Sequence, residues 1–312
     1  MTSPRGERKD DALNYSEDIR RSIAYIDLNL KKDLNANEIA DHIGYSVYHF
    51  CRVFSSIQGV PLMDFVRKKR LHQARRELLF GRKIIDIALE YGFETASGFS
   101  KAFRKEYGYS PTVYIAKISS FSTSHSILNH GGYRMNPMIV FKPAFHIAGY
   151  GIRTNVTSGY TKDIAAYWDT YIGENLENKM YTALNPPAHG EVGICIPSSD
   201  DGNVIYLFGV IVEDYSKVTP DMMTWDVPEA NYAVFTTPPV DHVDSASSYD
   251  VDPLSMAVKA TWKYIFEEWF PNSDYVYDES KLDFEFYDER CHGLQDAVMD
   301  IYVPIKQRVE RG

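Results

Sequence analysis

Apolar residues recur at helical spacing through the first third of the chain and at alternating spacing through much of the rest. Ile19, Ile23, Ile26 and Leu30 fall three and four apart, which predicts an amphipathic helix starting at Ser16 behind a polar lead over 1–12. Asn35 or Asn37 can cap the next helix, whose apolar face is Ile39, Ala40 and Ile43 and which Gly44 ends. Ser46 is expected to cap a following helix over 46–56, with Val47, Phe50 and Phe54 turned inward. Gly59-Val60-Pro61 stops that helix and starts a long one over about 62–79, with Phe65, Leu71 and Ala74 inward and basic residues outward.

The pattern is then written a second time. Glu38 to Tyr45 reads Glu-Ile-Ala-Asp-His-Ile-Gly-Tyr, and Asp86 to Phe93 repeats it 48 positions later. After the glycine the register slips by one: Phe50, Arg52, Phe54 and Gly59 answer to Phe99, Lys101, Phe103 and Gly108, each 49 positions on. In this copy Ile84, Ile87, Ala88 and Tyr91 form the scaffold, and Thr95 or Ser97 can cap the second helix. Two copies of helix, glycine turn and helix predict two helix-turn-helix units, each offering one helix to a DNA major groove.

Residues 119–136, rich in Ser and Gly, read as a linker. Beyond it, strand-like runs at 137–152, 191–197, 204–213, 230–237, 282–288 and 299–305 alternate with helical runs at about 160–178 and 251–270. Strand, helix, two strands, written twice, predicts an α+β domain of tandem sheet-helix modules with pseudo-twofold symmetry. The fold class is therefore multi-domain: an all-α double helix-turn-helix domain over 13–118, the linker over 119–136, and the α+β domain over 137–308.

Composition sharpens this division. The chain has 312 residues and a net charge of −10, yet residues 1–118 hold 20 Lys and Arg against 15 Asp and Glu, while the remainder holds 13 against 28. A basic first third suits phosphate, and an acidic remainder suits cations. Cys51, Cys195 and Cys291 have no paired spacing, Met1 to Asp11 lacks a signal-peptide core, and no apolar run reaches membrane length. A cytoplasmic protein with no membrane partner is expected. His42 and His49 lie on different helices without partners at ligand spacing, so no metal is assigned, and no cofactor either. With no Gly-x-Ser-x-Gly elbow and no phosphate loop, no catalytic residue is assigned.

The doubled motif, with Gly59-Val60-Pro61, Arg70-Leu71, Ala74-Arg75 and Gly92-Phe93 followed by Phe99, Phe103, Gly108 and Pro111, resembles the DNA-binding domain of AraC/XylS-type bacterial transcription regulators. The second half resembles the GyrI-like effector-binding domain, through Ile205 to Val210, Tyr232 to Phe235, the helix from Trp262 to Trp269, Phe284-Glu285-Phe286-Tyr287, and Ile301 to Ile305. The domain order resembles the Rob-type branch. The resemblance implies seven helices in the reader, double-stranded promoter DNA and a small-molecule effector as partners, and activation through contact with RNA polymerase. By position in the family motif, Ser46, Tyr48, Cys51 and Arg52 are the first reader's contacts, and Thr95, Ala96, Ser97, Ser100 and Lys101 the second's. Two readers joined by one helix are expected to reach grooves about one helical turn, roughly 34 Å, apart.

Alternation along Leu282 to Tyr287 puts Glu285 and Tyr287 on one face and Phe284 and Phe286 on the other. A carboxylate among aromatics favours a cation, because burial costs it solvation that a positive ligand restores and ring faces attract the same charge. The resemblance likewise implies that this glutamate meets hydrophobic, cationic effectors, with Trp168, Tyr206, Phe208, Trp225 and Tyr287 as candidate walls. A second reading makes Glu285 and a nearby tyrosine the base and acid of a hydrolase, and a third makes the domain a protein-interaction module.

Overall fold

The computed structural model describes residues 7–118, 135–155, 160–197, 203–241, 253–292 and 295–308, with side chains from Tyr15 onward except at 160, 161 and 165. Most of the expected linker, 119–134, lies outside the described residues. Contacts divide the chain into two units, Met1–Glu106 and Tyr107–Gly312.

The first unit is helical: α1 (Glu7–Asn29), α2 (Ala36–Ile43), α3 (Val47–Gln58), α4 (Leu62–Glu77), α5 (Ile84–Glu90) and α6 (Ala96–Tyr107). Its boundaries follow from local chemistry. Asn35 accepts the Glu38 N–H at 3.1 Å while the Glu38 carboxylate accepts the Asn35 N–H at 3.4 Å, a reciprocal cap on α2. Gly44 ends that helix at φ 89°, where only glycine escapes Cβ strain, and its N–H donates to the Ala40 carbonyl at 3.0 Å. Three local expectations change. Ser16 lies inside α1, which begins at Glu7. Ser46 occupies the cap position of α3, but its side chain makes no capping bond. Val47, in the first turn of α3, is 36% exposed, and Leu62 and Val66 of α4 fill the core instead.

The core of the first copy joins Ile19, Ile26, Ile39, Phe50, Phe54 and Val66. In the second copy Ile87, Ala88, Tyr91, Phe99 and Phe103 are buried. Polar bonds tie the two copies together across α4. Arg70 donates to the carbonyls of Leu30 and Lys32 at 2.9 and 2.7 Å. Lys31 reaches Glu77 at 2.8 Å and Glu90 at 2.9 Å, and the Tyr91 hydroxyl donates to Glu77 at 2.7 Å. Hydrogen bonds from Arg82 and Lys31 pull the Glu90 carboxyl down to about 2.

The second unit opens with α7 (Pro111–Ile118), followed by β1 (Met138–Lys142), β2 (Phe145–Asn155), α8 (Tyr160–Gly173), α9 (Leu176–Leu184), β3 (Glu191–Pro197), β4 (Asn203–Val212), β5 (Met223–Val227) and β6 (Ala230–Thr236). Then come α10 (Pro253–Tyr264), a π-helical turn over Ile265–Trp269 leading into Phe270–Asn272, β7 (Tyr275–Tyr277), β8 (Phe284–Tyr287) and β9 (Asp300–Gln307). The strands form one antiparallel sheet in the order β1-β6-β9-β8-β3-β4-β2-β5, with β7 added to β9. β2-α8-β3-β4 and β6-α10-β8-β9 are the two modules, and their spatial orders mirror each other about the central β3–β8 pair. β1 and β5 each flank the other module's outer strand, which is the pseudo-twofold arrangement that the element order predicts. β5 and the three-residue β7 are strands that the sequence pattern did not predict.

One sheet face carries α8 and α9 over the first module and α10 over the second; the opposite face curls on itself. Ile147, Val192, Ile194, Leu207, Tyr232 and Phe284 form a single cluster there. Phe145 and Phe284 stand on strands three places apart, yet their ring centroids are 5.5 Å apart, far less than a flat sheet allows. Gly149 and Gly209 face each other across β2 and β4, where a Cβ on Gly209 would come within 2.5 Å of the Ala148 carbonyl oxygen. Gly209→Ala is expected to cost about 1–3 kcal/mol in urea unfolding. Gly173→Ala, where an added Cβ meets nothing, should leave the midpoint unchanged or higher.

Candidate functional site

Strand β8 sends Glu285 to the helix-covered face and Phe284 to the curled core, as alternation requires. The Trp262 indole N–H of α10 donates to Glu285 Oε1 at 2.8 Å, and the Tyr287 hydroxyl donates to Oε2 at 2.9 Å. Two residues before Glu285 on the same side stands Asp283, 4% exposed, whose carboxylate accepts the Tyr277 hydroxyl at 2.6 Å. The fourth participant comes from α7. Lys117 places its ammonium 2.5 Å from Asp283 Oδ1 and 4.9 Å from the centre of the Trp262 ring.

This is a cation paired with one carboxylate and set against an indole face, with the charge of a second carboxylate acting on it. Burial opposes the Lys117 charge, but Asp283, Cys195 and Glu285 outweigh it and hold its pKa above the usual lysine range. Burial pushes the Glu285 carboxyl up, against the hydrogen bonds of Trp262 and Tyr287 and the Lys117 charge. Helix α7 is rooted here by more than its lysine: the Ser110 N–H donates to Glu279 at 3.0 Å, the Tyr277 N–H to the Gly108 carbonyl at 2.9 Å, and the buried Tyr109 hydroxyl to the Phe266 carbonyl.

The same sheet face gathers most of the expected aromatic walls. Trp168 meets Phe208 at 4.9 Å and Tyr206 at 6.5 Å, and Phe208 meets Tyr287 at 5.3 Å, all edge to face. Trp225 is not among them. It pairs in register with Ile147 and packs with the curled cluster on the opposite face, because side chains in register on neighbouring strands share a face. A cleft of about 480 Å³ opens beside this aromatic group, lined by Tyr150, Arg153, Asp163, Tyr167 and Asp221 and without Glu285 in its wall. Sequence reasoning missed Lys117 and Asp283. Lys117 is one basic residue among many, and its partner is 166 positions away.

On the reading helices, Ser46, Tyr48 and Arg52 of the first copy and Thr95, Ser97 and Lys101 of the second are exposed, while Ala96 and Ser100 are half-buried. Cys51 packs against the first core, and burial pushes its thiol up. The Thr95 hydroxyl is engaged in capping, accepting the Gly98 N–H at 3.0 Å. A Cβ at position 98 would sit 3.2 Å from that hydroxyl, which suits the glycine inside α6.

Residues 39–117 match a helix-turn-helix domain family, and residues 138–305 match the family of integron-associated effector binding proteins. The HTH-type transcriptional activator AarP of Providencia stuartii is 38% identical over 97 residues, covering 31% of this chain and 72% of AarP. The Transposon Tn10 TetD protein of Escherichia coli is 31% identical over 106 residues, covering 34% of this chain and 77% of TetD. Transcriptional regulator Rob of Salmonella typhimurium is 32% identical over 97 residues, which span 31% of this chain and 34% of Rob. Among solved structures, SAV2435 bound to tetraphenylphosphonium aligns with a TM-score of 0.44 at 16% identity, over 56% of this chain and 94% of that one. Among the described residues no helix is long and apolar enough to cross a membrane.

Replacing Lys117 with Met leaves Asp283 buried and without its ammonium partner. A loss of about 3 kcal/mol in urea unfolding is expected, the low end for breaking a buried pair because the lysine keeps some exposure.

Proposed function

The chain belongs to the integron-associated effector-binding family and is an AraC-type helix-turn-helix transcription regulator with a GyrI-like domain, and from that premise we propose that it senses a lipophilic cation that displaces Lys117 from beside Glu285. The observation that carries this reading is the position of Lys117 itself: the protein's own ammonium pairs with Asp283 and lies over the ring of Trp262, whose N–H donates to Glu285. Groups that stabilise one half-buried cation can stabilise another, and an aromatic cation adds apolar area that lysine lacks.

The displacement supplies a coupling route. Lys117 ends the segment that matches the helix-turn-helix family, and α7 follows α6, the second reading helix, after only Gly108 to Ser110. An effector that expels Lys117 breaks one of the bonds holding α7 to the sheet domain, so effector binding and groove reading share one helix. The ligand shifts this equilibrium only by its differential affinity for the lysine-out state. Arg52 and Lys101, exposed at equivalent places on α3 and α6, are the leading base contacts in this proposal. Contact with RNA polymerase and a cytoplasmic location belong to the same proposal, which the resemblance to transcription regulators supports.

Titration calorimetry with a benzyl-substituted quaternary ammonium ion and an uncharged analogue of equal size tests the effector chemistry. The cation should bind at least tenfold more tightly. Glu285→Gln should remove that preference, and Lys117→Met should tighten cation binding by removing the internal competitor. Unchanged affinity in Lys117→Met would sink the displacement idea, and recovery of the cation chemically unchanged separates sensing from hydrolysis. Because burial raises the Glu285 pKa, cation affinity should fall on acidification above the usual glutamate range, as protonation removes the attracting charge. Arg52→Ala should weaken binding to a selected operator by about 1–3 kcal/mol at fixed salt and relax its sequence preference at one position, as measured by gel shift.

A further inference from the structure

A second charged group occupies the same sheet face on the far side of Tyr287. Glu191 opens β3 opposite Tyr287 of β8, Glu177 sits in the first turn of α9, and His189 lies in the loop between them. One ligating atom from each of the three lies within 4.8 Å of the other two. We propose that Glu177, His189 and Glu191 form a binding site for one divalent transition-metal ion of the zinc class.

The surroundings favour a cation in several ways. Glu191 is 2% exposed, and among the described residues neither it nor Glu177 forms an ion pair. Two carboxylates this close repel each other, and a buried one without a positive partner bears an uncompensated solvation cost. The neighbouring groups already orient the donors. The Tyr181 hydroxyl donates to Glu191 Oε1 at 2.6 Å and accepts the Gly190 N–H at 3.0 Å, and its ring stacks on His189 with centroids 5.3 Å apart. Such outer contacts fix ligand rotamers in metal sites.

The Tyr171 hydroxyl is an independent pointer. Tyr171 is 5% exposed, and among the described residues its hydroxyl has no hydrogen-bond partner. The charges of Glu177 and Glu191 are among those that act on this oxygen. A metal-bound water offers the hydrogen bond it lacks. The donor set of one imidazole and two carboxylates suits zinc, cobalt or nickel better than calcium, which takes oxygen alone. Zinc–ligand bonds of about 2.0–2.2 Å suit donors gathered within 4.8 Å of one another, with side-chain rotation making up any difference. His292, whose ring centroid is 5.6 Å from that of His189, is the nearest further imidazole, and water can complete the sphere. Cys291 is excluded, since its thiol is turned to the Val298 carbonyl at 3.2 Å.

The test uses the full chain stripped with a chelator and then titrated with Zn²⁺ by calorimetry and with Co²⁺ by visible absorption. One equivalent should bind, with Co²⁺ showing the intensified bands of a four- or five-coordinate ion. His189→Ala, at an exposed position that should not disturb folding, should weaken Zn²⁺ at least tenfold, and Tyr181→Phe should weaken it by about 10–100-fold through loss of orientation. Circular dichroism melting of each variant separates lost binding from lost folding. No Zn²⁺ binding below millimolar concentration, or binding that His189→Ala and Glu177→Gln leave unchanged, overturns the site. Glu285→Gln should leave Zn²⁺ affinity intact, so failure here and failure of the effector reading are distinguishable.

Discussion

A carboxylate buried on an aromatic sheet face must find positive charge, and the second unit is organised around how Glu285 and Asp283 meet that demand. The two acids stand two residues apart on one side of β8, so their charges add rather than point to opposite faces. Lys117 reaches them from α7, Trp262 offers both an N–H and a ring face, and Tyr277 and Tyr287 supply hydroxyl donors. Because breaking a buried pair is far more costly than breaking an exposed one, α7 is fastened to the sheet by electrostatics that surface ion pairs could not provide. Burial keeps the Glu285 carboxyl raised despite these partners.

The first unit shows the opposite use of charge. Lys31, Glu77, Arg82 and Glu90 form a network at partly exposed positions, where screening and side-chain entropy make each pair worth little. The hydrophobic stripes of Phe50 and Phe54, and of Phe99 and Phe103, bear the energetic weight. What the polar contacts add is direction: Arg70 bonded to two carbonyls near the end of α1, and Lys31 bridging Glu77 and Glu90, restrict how one copy can turn against the other. Both reading helices thereby keep their polar sides free of the cores that hold them.

Legibility differed by element for identifiable reasons. The helices of the doubled motif were readable because burial on one side imposes a three-to-four spacing, and glycines at Gly44 and Gly92 mark ends that need positive φ. Strands β3, β4, β6, β8 and β9 were readable because each lies in a run rich in Val, Ile, Tyr and Phe. The break of one expected helix into α8 and α9 was not, since Asn175 takes a left-handed conformation that its type permits without announcing. Trp225 was misassigned for a related reason: a tryptophan in a short strand carries no sign of which face it will take until its partner is known.

By itself the chain's order of residues determined the two helix-turn-helix copies, the repeated sheet-helix module and the side of β8 on which Glu285 stands, since all of these are consequences of local periodicity. Tertiary structure alone decided that Lys117 pairs with Asp283 over the Trp262 ring, and that Glu177, His189 and Glu191 converge. Those meetings join positions far apart along the chain, and electrostatic attraction between them leaves no periodic mark on the sequence. It becomes specific only when the packed sheet excludes water from around the charges.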